Sequence, residues 1–196
     1  ATYQLGKVYY DEKYGLKNDT KAYHWFEKSA KEGNNRATYQ MAKIDYEKQN
    51  YTNAAKLFQK VDDVYSHYYL GKIYLDESKG NPLYNPKKGL MYLKQASSEG
   101  NTFASMAIGL SYLRGEGVKR DVKTAKDWLN LASGQGNEYA SEILKKINSN
   151  HSGRPQIKIG VSMTTAISKM KKGLKSEWEK TKLQREHDRM IEHSLE

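Results

Sequence analysis

The chain has 196 residues, with 33 Lys or Arg against 23 Asp or Glu and a formal charge of +10. Apolar residues make up 37%, below the ~45–50% of ordinary globular domains, but 16 Tyr, 3 Trp and 3 Phe are more aromatic residues than a disordered chain carries. The lack of Cys excludes a disulfide framework and a thiolate metal site, and no apolar run approaches the ~20 residues that span a bilayer.

From the first residue the chain reads as a repeat. Ala1-Thr2-Tyr3-Gln4-Leu5-Gly6-Lys7 returns as Ala37-Thr38-Tyr39-Gln40-Met41-Ala42-Lys43 and as Ser66-His67-Tyr68-Tyr69-Leu70-Gly71-Lys72. It returns more loosely as Ala104-Ser105-Met106-Ala107-Ile108-Gly109-Leu110, and a partial copy opens at Ala140. Each copy has a second half. Ala22, Trp25, Phe26 and Ala30 are answered by Ala54, Leu57 and Phe58, then by Gly89, Tyr92, Leu93 and Ala96, then by Ala125, Trp128, Leu129 and Ala132. Spacings of three, four and seven mark one face of a helix. Gly33-Asn34, Gly100-Asn101 and Gly136-Asn137 follow, where a helix end needs a left-handed residue. Each unit is therefore predicted as helix A, loop, helix B and a Gly-Asn turn. The second copy is short and turns at Gln49-Asn50, and the third inserts Ser78 to Asn85, a loop expected to protrude.

These residues resemble the Sel1-like repeat, a relative of the tetratricopeptide repeat. The fourth copy carries the pattern best, in Gly109, Tyr112, Gly115-Glu116-Gly117-Val118, Asp121, Ala125, Trp128, Ala132 and Gly136. The first keeps Leu5-Gly6, Tyr9, Gly15-Leu16, Asp19, Lys21-Ala22, Trp25 and Gly33. The resemblance implies an all-α, right-handed solenoid of helical hairpins over residues 1–149, working as a protein-binding adaptor or scaffold. Stacking is required, because one such hairpin cannot bury its apolar face alone.

Counting each helix A from its first small residue, positions 1, 5, 8 and usually 9 are expected to face the core. Positions 3, 7 and 10 form a second stripe at helical spacing. It reads Tyr3-Lys7-Tyr10, Tyr39-Lys43-Tyr46, Tyr68-Lys72-Leu75 and Met106-Leu110-Leu113. An exposed stripe would be a lysine ladder flanked by tyrosines, passing into an apolar patch, and would take an acidic peptide or helix. The alternative is a seam, with the tyrosines filling it and the lysine stems lying over them. Asp45 interrupts the Tyr9, Tyr74 and Tyr112 series and is expected either to pair with a lysine or to mark divergence of the short copy.

Residues 150–162 read as a linker and 163–196 as a basic amphipathic helix, with Met163, Ile167, Met170, Leu174 and Trp178 on its early apolar face. That helix is expected to cap the solenoid or meet a partner. Alternatively, Lys169, Lys171, Lys172, Lys175, Lys182 and Arg185 would follow a phosphate backbone, although the interspersed Glu177, Glu179, Glu186 and Asp188 favour ordinary helix pairs. Repeats followed by a short basic helical tail also resemble the C-terminal part of mobilisation relaxases of conjugative elements. That resemblance implies an accessory module that recruits partners or contacts DNA, with a nicking domain upstream.

No catalytic constellation is legible, and no cofactor is expected. His24, His67, His151, His187 and His193 have no metal-ligand spacing, so no metal site is expected either. Gly115-Glu116-Gly117 lacks the third glycine of a dinucleotide fingerprint. Asp62-Asp63 reads as a solvated helix end. The absent Cys points to a reducing, cytoplasmic compartment. The chain opens at Ala1 within a repeat, as a fragment would, which leaves a bacterial surface or periplasmic address open.

Overall fold

The computed structural model describes residues 1–149, and the linker and basic helix expected over 150–162 and 163–196 lie outside them. The described residues form nine α-helices, α1 (Thr2–Tyr10), α2 (Asp19–Lys31), α3 (Asn35–Glu47), α4 (Tyr51–Val61), α5 (Val64–Leu75), α6 (Pro86–Ser98), α7 (Thr102–Arg114), α8 (Val122–Gly134) and α9 (Glu138–Ser149). Odd-numbered helices are the A helices and even-numbered ones the B helices. Each packs on its neighbours in sequence, so the hairpins stack into an all-α solenoid. α5 also touches α7. Side chains of α1, α3, α5 and α7 meet across successive A helices, in Lys43 with Tyr10, Tyr39 with Tyr69 and Tyr68 with Phe103, so the A helices form the inner side of the stack and the B helices its outer side.

The turns between hairpins follow from two residues. Gly33, Gly100 and Gly136 hold φ of 87, 92 and 88°, respectively. Asn34, Asn101 and Asn137 then cap the next helix, their side chains accepting from the backbone N–H of Ala37, Ala104 and Ala140. Such caps satisfy orphan helix donors. The second copy makes the same turn with Asp62 at φ 54° and Asp63, which caps α5 through Ser66 N–H. Gln49, at φ 62°, provides its inner turn.

Close approach of A to B is set at position 6. A Cβ on Gly6 would stand 2.5 Å from the Phe26 ring, one on Gly71 2.6 Å from Leu93, and one on Gly109 2.8 Å from Leu129. The absent side chain lets Phe26, Leu93 and Leu129, all fully buried, lie directly on the A-helix backbone, while the second copy has Ala42 at this position and buries Phe58 as completely. In the partial fifth copy position 6 is Lys145, which is exposed. A helix packed on α9 as the B helices pack elsewhere would meet a charged stem where the others meet glycine or, at Ala42, alanine.

Two core expectations change. Leu5 is 40% exposed although Met41, Leu70 and Ile108 at the same position are buried, each of those three lying on a helix that packs against a preceding B helix. In α2 the enclosed residue is Ser29, while Ala30 is half-buried. Ser29 is the register equivalent of Ala96 and Ala132.

Candidate functional site

The position 3, 7 and 10 stripe is mostly a seam. Tyr39 is wholly buried, Tyr68, Met106 and Leu110 nearly so, and Leu75 and Leu113 are also enclosed. The apolar patch expected in the fourth copy is core: Met106, Leu110 and Leu113 pack in one cluster with Leu129, Ile143 and Ile147. Tyr39 is held edge-on against Phe58 at 5.6 Å and Tyr69 at 6.0 Å, and Phe58 stacks on Tyr69 at 4.9 Å. Rings of this size fill the gap between hairpins, so an exposed tyrosine wall cannot form there. Tyr3, Lys7, Tyr10, Tyr46 and Lys72 remain half-exposed.

The lysines lie over aromatic rings in register. Lys43 Nζ is 5.6 Å from the ring centre of Tyr10 in the preceding hairpin. Lys72 Nζ is 4.8 Å from Tyr46, again one hairpin back, and 5.0 and 5.4 Å from Tyr69 and Tyr68. An ammonium over a neutral ring gains about 0.5–2 kcal/mol, more when desolvated. Burial pushes the Tyr46 and Tyr68 phenols upward, against a downward pull of Lys72 on Tyr68, and so keeps these two rings neutral. Lys72 is thus a fixed, half-exposed cation on the inner face, whereas Lys43 is 5% exposed and belongs to the seam, so the expected exposed ladder is interrupted in the second copy. Tyr69 was the residue the stripe did not include. It sits at position 4, where other copies have Gln4, Gln40 and Ala107, and the run His67-Tyr68-Tyr69 is its only sequence signal.

Asp45 pairs with no lysine among the described residues. It accepts from Tyr23 Oη at 3.2 Å, from Asn50 Nδ2 at 3.1 Å and from Asn53 Nδ2 at 2.6 Å. These neutral donors, gathered from α2, the Gln49-Asn50 turn and α4, satisfy a carboxylate that is 7% exposed. Burial, and then Asp45, push the Tyr23 phenol upward. Asp45→Ala leaves three donors without their acceptor and is expected to cost about 1–3 kcal/mol in a urea melt. A loss near zero would show that water replaces the carboxylate.

His67, unremarkable by spacing, is the most engaged histidine of the described residues. Its Nε2 is 2.9 Å from Asp62 Oδ1 and its Nδ1 3.3 Å from Glu99 Oε2, with the ring stacked on Tyr92. It pins the ends of α4 and α6 to α5. Among the described residues no group of three or more His, Cys, Asp or Glu could hold a metal ion, and no helix is long and apolar enough to cross a membrane. The alternative phosphate-binding residues Lys169, Lys171, Lys172, Lys175, Lys182 and Arg185 lie outside the described residues, as does the tail that carries the relaxase resemblance.

Comparison with known proteins agrees with this architecture. The Sel1 repeat pattern matches residues 1–34, 64–101 and 103–137, leaving out the short second copy. Among solved structures, c5321, a protective antigen of uropathogenic Escherichia coli strains displaying an SLR fold, is 29% identical with a TM-score of 0.60. The match covers 74% of this chain and 32% of that one. A Sel1 repeat protein from Oxalobacter formigenes is 21% identical with a TM-score of 0.63, over 76% of this chain and 63% of that one. This chain thus spans less than two thirds of either structure. With three matched repeats over more than half its length, and hairpins that stack in the geometry those repeats require, the chain belongs to the Sel1 repeat family.

Proposed function

We propose that this protein is an interaction scaffold that receives an acidic peptide or helix along the inner face of its A helices. Sel1 repeat proteins generally serve as scaffolds for other proteins, and their fold is typically non-catalytic. The observation that carries the finer reading is the placement of the half-exposed Lys72 over Tyr46 of the preceding hairpin and over Tyr68 and Tyr69 of its own. A cation already held in position loses little freedom when a carboxylate arrives, which is the cost that most often erodes affinity. Lys7 and the half-exposed rims of Tyr3, Tyr10 and Tyr46 extend the same line. The lysines steer an acidic partner, and the tyrosine rims contribute apolar area.

A panel of acidic helical peptides, titrated by fluorescence anisotropy at near-physiological salt, tests this. Peptides that bind are expected to lose about tenfold in affinity to the Lys7→Gln/Lys72→Gln variant, or about 1.4 kcal/mol. Equal binding to wild type and variant would remove the ladder from the function.

A further inference from the structure

The outer helices differ in charge from the rest of the molecule. α2, α4, α6 and α8 carry ten lysines against three acids, Asp19, Glu27 and Asp127. Their surplus of seven exceeds the net charge of +6 of residues 1–149 as a whole. The concentration is greatest on α4 and α6, successive outer helices packed against α5. Neither contains an acidic residue. Lys56 and Lys60 lie one turn apart on α4, and Lys87 and Lys94 two turns apart on α6, all four exposed. None forms an ion pair among the described residues. The carboxylates that end these helices, Asp62 and Glu99, are turned onto the His67 ring.

We propose that this convex face of α4 and α6 binds the phosphate backbone of a nucleic-acid duplex. Helical rise puts the lysines of each helix about 6 and about 10 Å apart, a patch that spans several charges of a duplex carrying one per ~1.7 Å. The rest of the face selects the partner class. Its exposed residues are Thr52, Gln59, Gln95 and Ser98, and the single large apolar one is Met91, 53% exposed. Stacking platforms for unpaired bases are absent from it. So is the apolar surface that inserts into a bilayer, and so are the anchors of a protein hot spot. Phosphate contacts of this kind carry no sequence information, so binding is indifferent to base sequence and steep in salt.

The test is anisotropy of a labelled random-sequence DNA duplex titrated with the full chain between about 50 and about 200 mM salt. The variant Lys56→Glu/Lys60→Glu/Lys87→Glu/Lys94→Glu is expected to melt like wild type, to bind at least about tenfold more weakly, and to flatten the log–log salt slope by about three to four. Lys171→Gln/Lys172→Gln/Lys175→Gln, which leaves this face intact, is expected to keep most of the affinity. No binding by wild type, equal binding by the quadruple variant, or loss confined to the tail variant would overturn the proposal. Tighter binding to phosphatidylglycerol vesicles or to polyglutamate than to the duplex, lost in the quadruple variant, would reassign the face to that partner and overturn it as well. Acidic-peptide binding on the inner face is expected to survive the quadruple substitution, so the two sites fail separately.

Discussion

Phe58→Ala is expected to destabilise the solenoid by about 3–5 kcal/mol, the range for removing a large buried aromatic. Phe58 is fully buried on α4, stacked at 4.9 Å on Tyr69 of α5 and edge-on at 5.6 Å to Tyr39 of α3. It therefore joins the second hairpin to the third. In a stacked repeat each hairpin is stabilised only by its neighbours. The truncation should consequently do more than lower the midpoint: the hairpins on either side of α4 should begin to unfold apart, broadening the transition. Urea denaturation followed by circular dichroism reads both effects. A loss below about 1 kcal/mol, with the transition still sharp, would show that Tyr39 and Tyr69 close over the gap and that the aromatic cluster is not the joint.

Gly89→Ala sets two known effects against each other. Alanine in a helix interior gains about 0.5–1 kcal/mol over glycine, but its Cβ here would stand 2.7 Å from Leu75 Cγ, 3.0 Å from the Gly71 carbonyl oxygen and 3.2 Å from Leu75 N. Two of those three atoms are backbone and cannot rotate away, so α5 and α6 must separate. Overpacking of this kind costs about 1–3 kcal/mol, which exceeds the gain, and a net loss of about 1–2 kcal/mol is expected. Gly134→Ala is the matched control. It lies at the end of α8 with nothing within 4 Å of the added Cβ, so only the backbone effect operates and stability should rise by up to about 1 kcal/mol. Thermal melts of the two variants should move in opposite directions; a shared direction would mean that helix propensity, and not the A–B approach, decides.

The repeat and its helices were legible because their signals are local. A 3.6-residue period, a glycine able to take a left-handed turn and an asparagine able to cap the next helix act within a few residues of themselves. Gly33-Asn34, Gly100-Asn101 and Gly136-Asn137 do in the structure what that chemistry requires, and Asp62-Asp63 does the same with poorer residues. The candidate site was legible only as a stripe. Tyr3-Lys7-Tyr10 and its counterparts have one spacing whether they line a groove or fill a seam, and the choice depends on how closely successive A helices approach. That distance is fixed by side chains from other hairpins: Phe58 and Tyr69 around Tyr39, and Leu129, Ile143 and Ile147 around Met106 and Leu110.

Asp45 and His67 make the same point for polar groups. Their partners lie on neighbouring helices and turns, at sequence separations that follow no period, so no spacing in the chain announces Tyr23 with Asn53 or Asp62 with Glu99. The outer lysines are the converse case, since every one is visible in the sequence. Composition alone determined that this protein is basic, aromatic-rich and repetitive, and local pattern alone determined that it is a stack of helical hairpins. The tertiary structure decided which side chains face solvent, because curvature brings the A helices together and buries their tyrosines while it leaves the B helices apart with their lysines in water.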